Sequence, residues 1–197
     1  FDQIPGLGGS QLIADPVSPT KVWAVDQATI ARTDGTTTQT WTEANFGSLI
    51  PGTEFLSGLA VDSRGFAWMG VNTAFRPGQF SLIWLNPNTG AHKRIYPPRG
   101  MTIPGEFYTV LGVSPDNKVW CYYDSEYPNE DRGIFWFDGK RMGAFPAPAG
   151  GAFTWGGLPH AAILDFEIRP TRNGYEIWMS CASRGIAVLT VRHNTRR

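Results

Sequence analysis

Residues 59–71 read Leu59-Ala-Val-Asp-Ser-Arg-Gly-Phe-Ala-Trp68-Met-Gly-Val71, in which two apolar runs flank a polar turn and the second run carries a tryptophan. The same arrangement occurs three more times, around Trp23, Trp120 and Trp178. Successive tryptophans are 45, 52 and 58 residues apart. Self-similarity at this spacing is the sequence signature of a repeat architecture, so we interpret the chain as four repeats.

A second motif keeps the same register. Ile-Pro-Gly occurs at residues 4–6, 50–52 and 103–105, ahead of the first three repeats, and a degenerate copy ends at Pro159 ahead of the fourth. Within the repeats, short apolar runs rich in Val, Ile, Thr and aromatic residues are separated by turn residues. These turns are Asp34-Gly35, Arg64-Gly65, Asn86–Gly90, Asp138-Gly139 and Asn173-Gly174. Such runs are typical of strands, and no stretch shows the periodicity and caps of a helix longer than two turns.

Four strands in a repeat of roughly 40–50 residues are typical of a β-propeller blade. We therefore predict one all-β propeller domain over residues 1–197, with four-stranded repeats at approximately 8–45, 57–98, 108–148 and 161–197. The four repeated tryptophans should occupy equivalent buried positions between neighbouring blades. Asp15 and Asp62, each at the first turn of its repeat, should accept backbone N–H groups as Asx turns do.

The spacing of Asp62, Gly65 and Trp68, and the run Gly133-Ile-Phe-Trp-Phe-Asp-Gly139, resemble the repeats of two-component-regulator-type propellers. The resemblance covers nearly the whole chain and implies the propeller fold. It implies little about function, because many propellers with unrelated roles share such repeats.

Closure of the ring is a separate question. The last repeat ends after its third strand, Gly185 to Val191, whereas Phe1–Pro5 aligns with the outer fourth strand of the other repeats. We predict that this N-terminal segment pairs beside Gly185–Val191 and closes a four-bladed ring, which removes open sheet edges. The alternative is that the four blades form part of a larger ring, completed by further sequence or by a second chain.

Composition excludes several classes of protein. Lys plus Arg and Asp plus Glu both number 17, and a net charge of zero argues against electrostatic binding of nucleic acid. No run of 18 apolar residues occurs, so no membrane insertion is predicted.

The chain begins at Phe1 without a targeting signal, and we expect a mature or trimmed chain. The compartment stays open, with an extracellular, periplasmic or virion-surface location favoured. Cys121 and Cys181 are expected to be buried thiols.

The two faces of the predicted propeller differ in their loops. Turns between first and second strands and between third and fourth strands are short, whereas the remaining turns and the links between blades are long. Long loops on one face of a rigid scaffold are where binding residues tend to lie. The predicted binding residues on this long-loop face are Arg76, Tyr108, Glu126, Tyr127, Asp131, Trp155 and His160.

One long loop is acidic, with four carboxylates between Asp124 and Asp131. It lacks the glycine and the closing glutamate of an EF-hand, so we interpret it as a solvated loop. A weak Ca²⁺ site and a contact with a basic patch of a partner are the alternatives. We predict no metal site and no cofactor.

Catalytic motifs are not found: the sequence has no Gly-x-Ser-x-Gly elbow, phosphate-binding loop or His-Glu-x-x-His. We therefore predict a non-enzymatic binding module for a protein or glycan partner. One alternative is a structural component of a larger cell-surface or virion assembly, or of a homo-oligomer. Another is a glycan-active hydrolase or lyase, in which Asp165 and Glu167, two apart on an inner strand, would act as acid and base near His160.

Overall fold

The computed structural model describes residues 11–26, 28–47, 49, 53–73, 79–103, 105–124, 132–147, 158, 163–181 and 185–192. These residues form an all-β, propeller-like fold of short antiparallel sheets with one four-residue helix. No helix within these ranges is long and apolar enough to cross a membrane.

The strands fall into four sequential groups, here called units 1 to 4. Unit 1 comprises β1 (Gln11–Ala14), β2 (Val22–Val25), β3 (Thr29–Thr33), β4 (Thr38–Thr42) and the helix α1 (Glu43–Phe46). Unit 2 comprises β5 (Glu54–Val61), β6 (Ala67–Thr73), β7 (Ser81–Leu85) and β8 (His92–Ile95). Unit 3 comprises β9 (Phe107–Val113), β10 (Val119–Asp124), β11 (Gly133–Phe137) and β12 (Met142–Pro146). Unit 4 comprises β13 (Ile163–Thr171), β14 (Gly174–Cys181) and β15 (Gly185–Arg192).

Each unit is an antiparallel meander, as the repeats predict, and the first strand of each unit is its inner strand. Units 2 and 3 also join into one eight-stranded sheet, because β5 and β9 meet in parallel at Gly58 and Val110. Gly58 has a φ of +70°, and a Cβ there would overlap the backbone of Val110. Only glycine combines this backbone conformation with so close an approach.

Each unit packs on the next unit in the same way. We call the sheet side that carries the repeated tryptophan the tryptophan face, and the other side the opposite face. The tryptophan face of unit 1 packs on the opposite face of unit 2 in one core cluster, which contains Trp23 and Met69. Unit 2 packs on unit 3 in a second cluster, and unit 3 on unit 4 in a third, which contains Trp120 and Ile177.

The four tryptophans are equivalent in register but not in burial. Trp23 and Trp120 are fully buried, whereas Trp68 and Trp178 are half-buried. The expectation of four equally buried tryptophans is therefore wrong. In unit 4 the physical reason is that no described unit packs on the tryptophan face, so Trp178 lies at the end of the stack.

The first turns are held by the predicted carboxylates. Oδ1 of Asp15 accepts hydrogen bonds from the backbone N–H groups of Val17 and Ser18, at 2.9 and 3.0 Å. Oδ1 of Asp62 accepts from the N–H groups of Arg64 and Phe66. Both Asx turns are confirmed.

Two further expectations have different outcomes. Cys121 and Cys181 are buried free thiols, as expected. The pairing of Phe1–Pro5 with β15 lies outside the described residues, and closure of a four-bladed ring is not confirmed.

Candidate binding site on the long-loop face

The described part of the long-loop face contains a pocket formed by unit 2 and the link that leads to unit 3. It lies where the end of β8 continues into the link to unit 3, beside the start of β7. Its volume is about 340 Å³. We call it the Tyr96 pocket; its lining residues are Gln79, Phe80, Ser81, Arg94, Tyr96, Pro97, Pro98, Met101 and Ile103.

A buried ion pair supports this pocket. The guanidinium of Arg94 donates from Nη2 and Nη1 to the two carboxylate oxygens of Glu54, at 2.6 and 2.9 Å. Its Nε donates to Oγ of Ser81 at 2.9 Å. Both charged side chains are nearly inaccessible to solvent. The bidentate geometry fixes the guanidinium plane and balances its charge.

Tyr96 lies above this ion pair. The Cζ atom of Arg94 is 4.9 Å from the centroid of the Tyr96 ring, within the range of a cation–π contact. Tyr96 is nevertheless 59% exposed. The structure thus presents an aromatic ring to solvent on a rigid, charge-balanced base.

The opposite wall is anchored in the core. Phe80 makes edge-to-face contacts with Tyr108 and Phe135, with ring centroids 5.1 and 5.2 Å apart. Ile103 is buried in the same core cluster, and Met101 packs against it. Because these side chains are held on two sides, we expect the wall to be largely preformed.

Tyr108 holds the link that forms the pocket's outer edge. Its hydroxyl donates to the backbone oxygen of Gly105 at 2.8 Å. The side-chain amide of Asn72 binds the backbone N–H and C=O of Tyr108, at 2.9 and 2.8 Å. Burial, with a smaller contribution from Glu106, raises the pKa of Tyr108. The phenol of Tyr108 therefore stays protonated and keeps its O–H group as a hydrogen-bond donor.

Of the seven binding residues predicted from the sequence, only Tyr108 lies within the described residues. Tyr108 is 1% exposed, so its side chain has no surface to offer a partner; it positions the link instead. The other six lie outside the described residues: Arg76, Glu126, Tyr127, Asp131, Trp155 and His160.

The acidic loop is described only at its ends. Nε of Arg132 lies 2.5 Å from Oδ1 of Asp124, so these two residues form an ion pair across the base of the loop. Within the described ranges, no three His, Cys, Asp or Glu side chains are placed to hold a metal ion.

Asp165 and Glu167 lie on β13, on the tryptophan face of unit 4, as their spacing predicts. Both are exposed, and neither lines the Tyr96 pocket. Glu167 lies 3.9 Å from Nε of Arg169, a loose ion pair between exposed side chains. Their arrangement therefore adds no support to the acid–base pair of the hydrolase alternative.

Arg94 and Tyr96 are not among the binding residues predicted from the sequence. Glu54 and Arg94 are 40 positions apart and lie on different strands, so their pairing is invisible without the sheet register. The signal that was present is Tyr96-Pro97-Pro98, an aromatic residue before two prolines at the start of a long link.

The fold and the pocket together define a propeller-like repeat protein with a recessed site on one face. No family model and no curated protein matches the sequence. Among solved structures, a Hadza microbial sialidase is similar, with 14% identity and a TM-score of 0.49 over 87% of this chain and 41% of that chain. A luciferin-regenerating enzyme is similar at 15% identity and a TM-score of 0.43, over 89% of this chain and 59% of that chain. The chain thus spans less than two thirds of either protein, and such likenesses carry no information about its activity.

Proposed function

We propose that this protein is a non-enzymatic binding module that holds an apolar segment of a partner protein in the Tyr96 pocket. The observation that carries the proposal is the exposed Tyr96 ring beside a recess to which the core contributes Phe80 and Ile103. Exposed aromatic side chains next to well-packed pockets are typical of the residues that dominate protein interfaces.

The chemistry of the pocket favours an uncharged ligand. Glu54 already balances the charge of Arg94, so an anionic group gains little there. The apolar part of the lining comes from proline, methionine, isoleucine and phenylalanine side chains. Gln79 and Ser81 offer a few polar contacts, which suit the backbone of an extended peptide.

The size of the pocket also favours a small apolar group. A volume of about 340 Å³ lies at the lower end of the range for ligand pockets, roughly 300–1,000 Å³. It accommodates one or two side chains of a bound segment.

The described lining also explains why binding is favoured over catalysis. It contains no His, Cys, Asp or Lys side chain. The Glu54 carboxylate at its base is engaged bidentately by Arg94, which removes it as a general base.

Selection from a library of random peptides tests the proposal. The wild-type protein is immobilised, and enriched peptides are then measured against Tyr96→Ala and Gln79→Ala variants. The matched control is Lys140→Ala, an exposed residue of the short turn between β11 and β12. We expect enriched peptides to be apolar, to lose at least about tenfold in affinity for Tyr96→Ala, and to bind Lys140→Ala normally.

The same variants are measured on an array of neutral and acidic oligosaccharides. Oligosaccharide binding that depends on Tyr96, without peptide binding, would show a binding module for glycans and overturn the choice of a protein segment. Peptide binding that is indifferent to Tyr96 and Gln79 would place the site elsewhere. Turnover of any oligosaccharide would overturn the non-enzymatic assignment.

A further inference from the structure

The two prolines that follow Tyr96 form a rigid part of the pocket. Pro97 and Pro98 both line the recess. The backbone then turns, and the carbonyl of Pro98 accepts a hydrogen bond of 3.0 Å from the N–H of Met101. Gly100 has a φ of +86°, the positive φ that the third position of a type II turn requires. The turn therefore ties the two prolines to Met101, so this part of the lining is formed before a ligand binds.

This part of the lining does not suit a ligand that binds as an added β-strand. β8 ends at Ile95, and an added strand needs backbone N–H and C=O groups that alternate along the edge it joins. Pro97 and Pro98 have no backbone N–H, and the C=O of Pro98 is already bonded within the turn. Strand pairing beside β8 therefore cannot continue into the pocket, and a bound segment is held there by side chains.

Two polar side chains of the lining can donate hydrogen bonds to such a segment. Gln79 and Tyr96 are both exposed, and neither side chain is hydrogen-bonded to another residue that the structure describes. The amide of Gln79 and the hydroxyl of Tyr96 each carry N–H or O–H donors. A chain in the polyproline II conformation has no internal hydrogen bonds, so its carbonyl groups are open to donors. The lining thus offers the donors that a polyproline II backbone can accept.

The apolar part of the site favours a rigid, uncharged side chain. The Cζ atom of Arg94 lies 4.9 Å from the centroid of the Tyr96 ring, so a lysine or arginine placed on the same ring would be repelled. Proline is uncharged and loses no rotamer freedom when it is buried. Its backbone is also largely ordered before binding, which lowers the entropy lost on association. Proline therefore loses less entropy than a flexible apolar residue for the same contact area.

We propose that the segment bound in the Tyr96 pocket is proline-rich and adopts the polyproline II conformation. This inference rests on the proposed function and names the chemistry of its ligand. One proline ring packs on Tyr96, and a neighbouring ring enters the recess beside Phe80 and Ile103. The Tyr96 hydroxyl and the Gln79 amide donate to carbonyl groups of the segment. Adjacent residues of a polyproline II helix are about 3.1 Å apart along its axis, so two rings fit a pocket of about 340 Å³.

Calorimetric titration with four capped peptides tests the inference. The peptides share the frame Gly-Ser-X-X-X-X-Ser-Gly, in which X is proline, N-methylalanine, valine or alanine. We expect the proline peptide to bind at least about tenfold more tightly than the valine peptide. The N-methylalanine peptide, which lacks the N–H groups and the rings, should lie between them. Tyr96→Ala should abolish binding of the proline peptide, and Lys140→Ala should leave it unchanged. Tyr96→Phe and Gln79→Glu each remove a donor and should weaken binding roughly three- to tenfold.

The possible failures are distinguishable from one another. Near-ultraviolet circular dichroism first verifies that each variant keeps the wild-type fold. A valine or alanine peptide that binds as tightly as the proline peptide and depends on Tyr96 would overturn the preference for proline, while the proposed function would stand. Selected peptides that depend on Tyr96 but contain no proline would have the same consequence. If no peptide of any kind binds in a way that depends on Tyr96, the inference and the proposed function are both wrong.

Discussion

Asp15 and Trp23 are joined by a hydrogen bond of 3.0 Å from the indole Nε1 to Oδ2 of the carboxylate. The same oxygen accepts a bond of 2.6 Å from Nε of Arg32. One buried carboxylate thus fixes a turn, an indole and a guanidinium in unit 1. Asp62 with Trp68 and Ser114 with Trp120 repeat the link, at 3.3 and 3.2 Å. The polar residue of the first turn therefore orients the tryptophan that packs on the next unit.

Replacing Asp15 with alanine should destabilise the protein strongly. The substitution leaves Arg32 as a buried cation without its partner, and losses of this kind cost about 3–5 kcal/mol. Urea denaturation measures the change in the free energy of unfolding. Asp34→Ala is the control, because Asp34 also forms an Asx turn but is exposed. Equal effects of the two substitutions would contradict a role for the buried ion pair.

Lowering the pH should remove the contribution of the Asp15 carboxylate to the stability of the fold. Burial alone would raise its pKa, but hydrogen bonds from the Val17 N–H and from Arg32, with the guanidinium charge, bring the pKa below the usual 3.8. A lowered native pKa stabilises the fold above pH 3.8 and loses that contribution as the pH falls through the native value. The difference in free energy of unfolding between wild type and Asp15→Asn should therefore shrink with falling pH. A difference that is constant with pH would show that the charge of Asp15 is unimportant.

Gly58→Ala should destabilise the fold far more than Gly90→Ala. Both glycines have a φ near +70°, so both substitutions carry the same backbone strain of about 1–2 kcal/mol. A Cβ at Gly90 meets nothing within 4 Å, whereas one at Gly58 overlaps Val110 where units 2 and 3 join. Thermal unfolding of the two variants isolates the steric effect. Similar melting temperatures would mean that β5 and β9 do not meet as described.

Trp23→Ala and Trp178→Ala should lower the free energy of unfolding by different amounts. Trp23 is fully buried and stacks on Trp41 with centroids 5.8 Å apart, so its removal should cost about 3–5 kcal/mol. Trp178 is half-buried, and its removal should lower the free energy of unfolding by about half as much. Chemical denaturation measures both values. Equal losses would contradict the end-of-stack position of unit 4.

The repeat architecture could be predicted because its signals are local. An apolar run, a turn and a tryptophan lie within ten residues of each other, as in Leu59–Trp68, and the Asx turns follow from the same spacing. The pocket could not be predicted, because Glu54 and Arg94 meet only once β5 and β8 are in one sheet. The long loops lead to the prediction that Tyr108 is a binding residue, although its alternation with Val110 in β9 places both side chains in the core.

Methionine-methyl NMR reports directly on whether a ligand occupies the Tyr96 pocket. The chain has four methionines, of which Met101 lines the pocket, while Met69, Met142 and Met179 lie elsewhere. The signal of Met101 is assigned with a Met101→Leu variant, and a peptide from the selection is titrated into labelled protein. If the peptide binds in the pocket, the Met101 signal shifts saturably while the other three stay in place, and Tyr96→Ala abolishes the shift. Saturable binding that moves Met179 or Met142 and leaves Met101 unchanged would contradict it.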